Sequence, residues 1–360
     1  QLLACNNISM ANLCPQYQRI RIVLVLVTII IGFLADVSLA FAFTGSPRAG
    51  AKDGQTVTSF TSYLFSVNHS NKRKEELYQL SMASWGVFEN FKPKQVEEPP
   101  TRVKKKPVLI CPAQFCVAED YADMIEILEN MGHKAYVADI GRSDWLKIVP
   151  ATFTIDYWTG NLKPKNCLQF FFEGIDKTME RVKKENPGEQ VNIIGHSIGG
   201  WIVRSYLGEV CTSAEREAFC SLTLLGSPQQ TPPEGTVWAA ADQTRGLLRH
   251  VNANFPGAFH PGLRYTAVAG AGQEGGLAGG LQAAVAYSSY LPLCGDGNCR
   301  GDGIVPVETA LLEGAEALVL EGVKHAGWVP TPGTSLKLPE SYLWYGSPGV
   351  VERWAGSSLE

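Results

Sequence analysis

Val191-Asn-Ile-Ile-Gly195-His196-Ser197-Ile198-Gly199-Gly200-Trp201 is the stretch that decides the fold. Its first four residues are a short apolar run with the character of a buried strand, and the residues from 198 to about 210 have helical character. Between them stands Gly-x-Ser-x-Gly, which in a strand–turn–helix setting forces one serine hydroxyl onto a sharp, exposed bend of the backbone. Side chains at Gly195 and Gly199 would collide with the neighbouring strand and helix, and Gly200 adds clearance. A five-residue pattern recurs by chance. The strand before it and the helix after it give this one its weight as a nucleophile elbow.

Working outward, apolar strands alternate with amphipathic helices, the pattern of a mostly parallel sheet covered on both faces. Strands are predicted over 108–111, 134–138, 191–194, 221–225, 264–269 and 317–320. Helices are predicted over 120–131, 168–184 and 198–210, with a long loop from Trp145 through Tyr157-Trp158. The segments 229–261 and 270–294 are inserted between core strands. Their Trp238, Leu247, Phe255, Leu281, Tyr287 and Tyr290 suit an acyl pocket or a lid, or simply a cover for the core.

A serine hydroxyl is a weak nucleophile, so a base must take its proton and an acid must hold that base in the useful tautomer. In this arrangement the order along the chain is Ser, acid, His. Of six histidines only His325, in Lys324-His325-Ala-Gly-Trp328, lies just past the last expected strand, and it is the predicted base. His69, His133, His250 and His260 lack such a setting, and His196 is given a packing or pocket-wall role. The acid is placed at Asp302, in Gly301-Asp302-Gly303-Ile304-Val-Pro306. Its rival is Asp296 in Gly295-Asp296-Gly297, which fits better as a turn aspartate capping its own backbone. The oxyanion of an acyl-transfer intermediate needs two backbone N–H donors. Ile198 supplies one, and the loop after the first strand the other, with Gln114 preferred and Ala113 next to it. No metal or organic cofactor is required. Gly270-Ala-Gly272-Gln-Glu-Gly275 fits a dinucleotide fingerprint in letters only, since a Gly/Ala-rich stretch stands where the helix should open.

Composition excludes other classes. With 360 residues, 45% hydrophobic and 18% charged, the chain is globular, and a formal charge of −4 gives no basic field for nucleic acid. Nine cysteines are too dilute for a disulfide scaffold. Cys294 and Cys299 are spaced to close a short disulfide loop or to remain two thiols.

The N-terminal part reads as an address. Residues 22–35 form an uncharged apolar run behind Arg19 and Arg21, too short for a bilayer-spanning helix and followed by Ala40-Phe41-Ala42. Residues 1–42 are therefore expected to be a signal peptide, whose removal leaves a charge of −5. Residues 43–70, rich in Ser, Thr, Gly and Ala with one acid, have transit-peptide composition. Ala-Phe-Ala-Phe43 resembles the bipartite presequence of algae with secondarily acquired plastids, which implies a plastid location; secretion or an endomembrane location is the alternative. Residues 71–104 are expected to be an N-terminal arm and linker, and 105–356 the catalytic domain.

Over about 105–356 the chain resembles the α/β-hydrolase superfamily. More narrowly, it is similar to a plastid-type serine lipase/esterase-like branch of plants, algae and cyanobacteria. The narrower likeness rests on Arg142-Ser-Asp-Trp145, Tyr157-Trp158, Gly195-His-Ser-Ile-Gly-Gly-Trp201, Leu225-Gly-Ser-Pro228, Asp242-Gln-Thr-Arg-Gly-Leu247, Gly301-Asp-Gly-Ile-Val-Pro306 and Trp344-Tyr-Gly-Ser-Pro348. Two departures stand out. Ala113 and Cys116 occupy oxyanion-loop positions where Gly is common, and the first two strands of the full superfamily sheet are not evident, which leaves about six. The resemblance implies hydrolysis of carboxylic esters, acyl lipids in particular, through a Ser197–His325–Asp302 triad, with peripheral membrane contact. A thioesterase, a pigment-ester hydrolase and a catalytically silent scaffold are the alternatives.

Overall fold

The computed structural model describes residues 105–240, 242–330 and 335–359. The readings of 1–42, 43–70 and 71–104 fall outside them. Six strands form one sheet: β1 Val108–Cys111, β2 Ala135–Val137, β3 Val191–His196, β4 Phe219–Leu225, β5 Arg264–Ala271 and β8 Glu316–Glu321, in the order β2-β1-β3-β4-β5-β8 with every pair parallel. The expected six-strand, mostly parallel α/β architecture is thus present. The small antiparallel pairs β6 Gln273–Glu274 with β7 Arg300–Gly301, and β9 Trp328–Pro330 with β10 Ser335–Lys337, lie outside that sheet.

Both faces of the central strands are covered, because alternate residues along them serve different cores, while the edge strand β8 is largely exposed. Leu109, Ile193, Leu222, Leu224 and Ala267 join one cluster with Phe171, Phe172 and Ile175 of helix α2 Gln169–Glu185 and Ile202 and Val203 of α3 Ile198–Ser205. Helix α4 Leu247–Asn254 adds Leu248 and Val251 to it. Val108, Ile110, Ile194, Leu225 and Val268 join the other, with Met124 and Leu128 of α1 Ala122–Asn130 and Trp354 of α6 Val351–Ser358. The second insertion is largely helix α5 Leu281–Cys294. Among the described residues no helix is long and apolar enough to cross a membrane.

The structure departs from expectation in three places. The loop predicted through Trp145 is a 3-10 segment, Arg142–Phe153, followed by a helical turn, Ile155–Thr159, because Trp145 and Tyr157 plug into the first core. The helix after Ser197 is α-helical only to Ser205 and widens into a π turn over Tyr206–Val210, where the Phe255 ring lies against Gly208. Strand β3 continues through Gly195 and His196, which still pair with Leu224 and Leu225.

Candidate active site

Strand order reverses at β1. The chain goes from β1 outward to β2, then crosses back to β3 on the other side of β1. Loops leaving the C-terminal ends of β1 and β3 diverge at such a point and open a crevice, the usual place for a ligand in a parallel α/β sheet. Ser197 directly follows β3 and Gln114 lies in the turn after β1, so the reversal itself puts both at one crevice.

Ser197 has φ 53° and ψ −128°, a conformation that costs a non-glycine residue about 1–3 kcal/mol and persists only when its surroundings impose it. The glycines around it show what imposes it. A Cβ on Gly195 would lie 2.3 Å from Gly200 Cα, and one on Gly199 would lie 2.5 Å from the carbonyl oxygen of Cys111 and 2.7 Å from that of Pro112. The elbow is therefore wedged against the end of β1. As the first residue of α3, Ile198 has no intrahelical acceptor for its N–H.

The turn after β1 runs Ala113-Gln114-Phe115-Cys116, closed by Cys116 N–H to the Ala113 carbonyl at 3.1 Å, with Phe115 at φ 59° where glycine is favoured. The Ala113 N–H is consumed by Tyr121 Oη at 2.8 Å, which removes it as an oxyanion donor. The N–H of Gln114 donates to no group among the described residues. Of the two candidates, Gln114 keeps a free amide.

Asp302 is fully buried and four donors meet it. Oδ1 accepts the N–H groups of Ile304 (2.9 Å) and Val305 (2.7 Å), and Oδ2 accepts from His325 Nδ1 (2.7 Å) and Tyr345 Oη (2.9 Å). Burial pushes this carboxyl up, but the charge and hydrogen bond of His325 and the two amides outweigh it and hold it below the ordinary aspartate value. The backbone repeats the tie, with His325 N–H donating to the Asp302 carbonyl at 2.9 Å. Gly226, at φ 52°, lets the end of β4 approach: a Cβ there would lie 2.6 Å from Asp302 Oδ2. Because His325 Nδ1 is spent on Asp302, Nε2 is left to accept a proton. Asp296 is exposed and caps its own turn, its Oδ1 accepting the Asn298 N–H at 2.8 Å. Gly270 and Gly272, the letters of the dinucleotide pattern, are spacings for the Val323 carbonyl, 2.5 and 2.7 Å from where their Cβ atoms would stand.

His196 is more than a pocket wall. It is fully buried and bonded at both nitrogens: Tyr121 Oη donates to Nδ1 at 2.8 Å, and Nε2 donates to the His325 carbonyl at 3.0 Å. Burial and the nearby His325 depress its pKa to about 3, so the ring is neutral and a single tautomer satisfies both bonds. A continuous chain, Ala113 N–H to Tyr121 to His196 to the His325 carbonyl, thus ties the turn after β1 to the loop carrying His325. The His196 and His325 rings lie 5.1 Å apart, which sets His325 beside the residue preceding Ser197. No hydrogen bond joins Ser197 Oγ to His325 in this structure; such bonds often close only around a substrate. The other described histidines sit elsewhere: His133 Nδ1 meets the Lys106 carbonyl at 2.8 Å, and His250, for which no acidic partner was expected, faces Glu209 at 3.1 Å. Tyr121 and Tyr345 were missed as site residues. Tyr345 lies in a motif quoted above without a role, and nothing in the sequence singles out Tyr121.

No protein-family model matches the sequence, and no curated protein does. Among solved structures the chain is similar to the mature lipase BlEst2 of Bacillus licheniformis, at 17% identity over 64% of this chain and 89% of that one, TM-score 0.41. It is similar to a metagenomic carboxyl esterase at 14% identity over 68% and 77%, TM-score 0.40. A third is the phospholipase PlaB of Legionella pneumophila, at 13% identity over 70% and 63%, TM-score 0.40.

Proposed function

We propose that the chain is a serine hydrolase of carboxylic esters, with acyl lipids as its substrate class. Ser197 Oγ attacks the acyl carbonyl carbon while His325 Nε2 takes its proton, and the N–H groups of Ile198 and Gln114 receive the oxyanion. Collapse breaks the ester C–O bond, and the leaving alkoxide takes from His325 the proton that came from Ser197. Water then releases the acyl group from Ser197 by the same steps with water in the alcohol's place. Asp302 holds His325 in the Nδ1–H tautomer throughout. The observation that carries this reading is the buried Asp302–His325 pair beside a serine in strained elbow geometry. Composition and the Ala-Phe-Ala-Phe43 junction support a plastid as the place of action.

A fluorophosphonate probe should label the folded protein and leave Ser197→Ala unlabelled, with p-nitrophenyl butyrate turned over only by the former. Equal labelling of both would reject the assignment.

A further inference from the structure

The 3-10 segment Arg142–Phe153 and the turn Ile155–Thr159 leave the C-terminal end of β2, on the same edge of the sheet as Ser197. Their inner side is fixed: Trp145 and Tyr157 are buried, and Trp145 packs on Phe170 at 5.4 Å and on Phe115 of the turn after β1 at 5.7 Å. Their outer side carries large apolar side chains interspersed with Ser143, Lys147, Asp156 and Thr159. Leu146, Val149, Phe153, Ile155 and Trp158 are 67, 44, 68, 80 and 54% exposed. A segment that buries aromatic anchors inward and exposes five large apolar side chains outward suits a place between a core and a second apolar medium.

The charges around it say which medium. Lys163 and Lys165 follow the segment and are exposed. Arg249 donates to the Gly160 carbonyl and to Asn161 Oδ1 (3.1 Å), and Arg245 stacks 4.9 Å over Tyr157. None of these four cations has a carboxylate partner among the described residues, whereas Lys147 is neutralised by Asp144 at 2.8 Å. Asp156 is the one exposed acid within the turn. Apolar side chains rimmed by unpaired Lys and Arg suit an anionic lipid surface, where the chains enter the acyl boundary and the cations meet headgroups.

We propose that this face docks on an anionic lipid bilayer. It deepens the acyl-ester reading and rests on it for its purpose: Phe115 touches Trp145, so docking sets the crevice of Ser197 at the bilayer surface.

The test is peptide-resolved hydrogen exchange on the full chain, which separates this face from the apolar run at 22–35. Vesicles of phosphatidylcholine with phosphatidylglycerol should protect 142–165, and pure phosphatidylcholine should protect it less. Replacing Phe153, Ile155 and Trp158 together by Ser should reduce that protection and cut hydrolysis of vesicle-borne esters by roughly tenfold or more, leaving hydrolysis of dissolved p-nitrophenyl butyrate unchanged. Lys163→Glu with Lys165→Glu should remove the preference for anionic vesicles. Vesicle binding without protection of 142–165 overturns the proposal. So does protection that grows with protein concentration in the absence of lipid, since a second copy would then be the occupant. If wild type turns over neither ester while protection persists, it is the hydrolase reading that fails.

Discussion

Gly199→Ala isolates the wedge that holds the site together. In a helix this change ordinarily stabilises by about 1 kcal/mol. Here the new Cβ would stand 2.5 Å from the Cys111 carbonyl oxygen and 2.7 Å from that of Pro112, while ordinary contact begins at 3.4 Å. Both obstacles are backbone, so they cannot swing aside. The end of β1 and the start of α3 must part by nearly 1 Å, carrying Gln114 away from Ile198 and Ser197. A misplacement of about 1 Å can cost roughly 10²-fold in rate. We expect that loss in kcat on p-nitrophenyl butyrate with little change in KM, slower fluorophosphonate labelling, and a cooperative thermal transition still present. Gly356→Ala in α6, where a Cβ meets nothing within 4 Å, serves as the control and should leave kcat unchanged. A folded Gly199→Ala enzyme with wild-type kcat would refute the wedge and, with it, the placing of the second oxyanion donor on this turn.

Other outcomes follow from the same geometry. Asp302→Asn should lower kcat by about 10⁴-fold through the wrong His325 tautomer, yet remain folded, because the Asp302 carbonyl still accepts the His325 N–H; single-turnover rates and a thermal melt check both halves. His196, depressed from 6.5 to about 3, is neutral when folded but protonates when unfolded below pH 6.5. Its contribution is therefore complete above pH 6.5 and shrinks as pH falls, by about 3 kcal/mol between pH 6.5 and 4. Urea midpoints across that range should fall less steeply in His196→Gln. Cys294 and Cys299, free but with Sγ atoms 3.7 Å apart, should form one disulfide with oxidised dithiothreitol. Buried Cys111, its thiol pushed well up by burial, should stay reduced, as peptide mass mapping under non-reducing conditions would report.

The sheet was legible because each strand is apolar and each break between strands carries a turn residue. Ser197 was legible because its neighbours must be glycine. His325 could be placed from the strand preceding it, and Asp302 from its order before His325, its flanking glycines and the apolar run that follows it. What lay out of reach depends on contacts between distant parts of the chain. Nothing near Tyr121 says that its hydroxyl meets Ala113 and His196, because those bonds exist only once the turn that carries Tyr121 folds back against the ends of β1 and β3. Likewise the segment after Arg142 reads as loop by its Pro150 and mixed polarity, and only Trp145 finding Phe170 orders it.

The strand-order reversal at β1 also bears on synthesis. Gln114 leaves the ribosome early, Ser197 later, and His325 only after β8 has been made, so no chain that stops short of β8 holds both Ser197 and His325. A site assembled from both sides of the reversal is therefore complete only once the chain has been made past His325. The Asp302–His325 pair then forms only when the last strand of the sheet has been laid down.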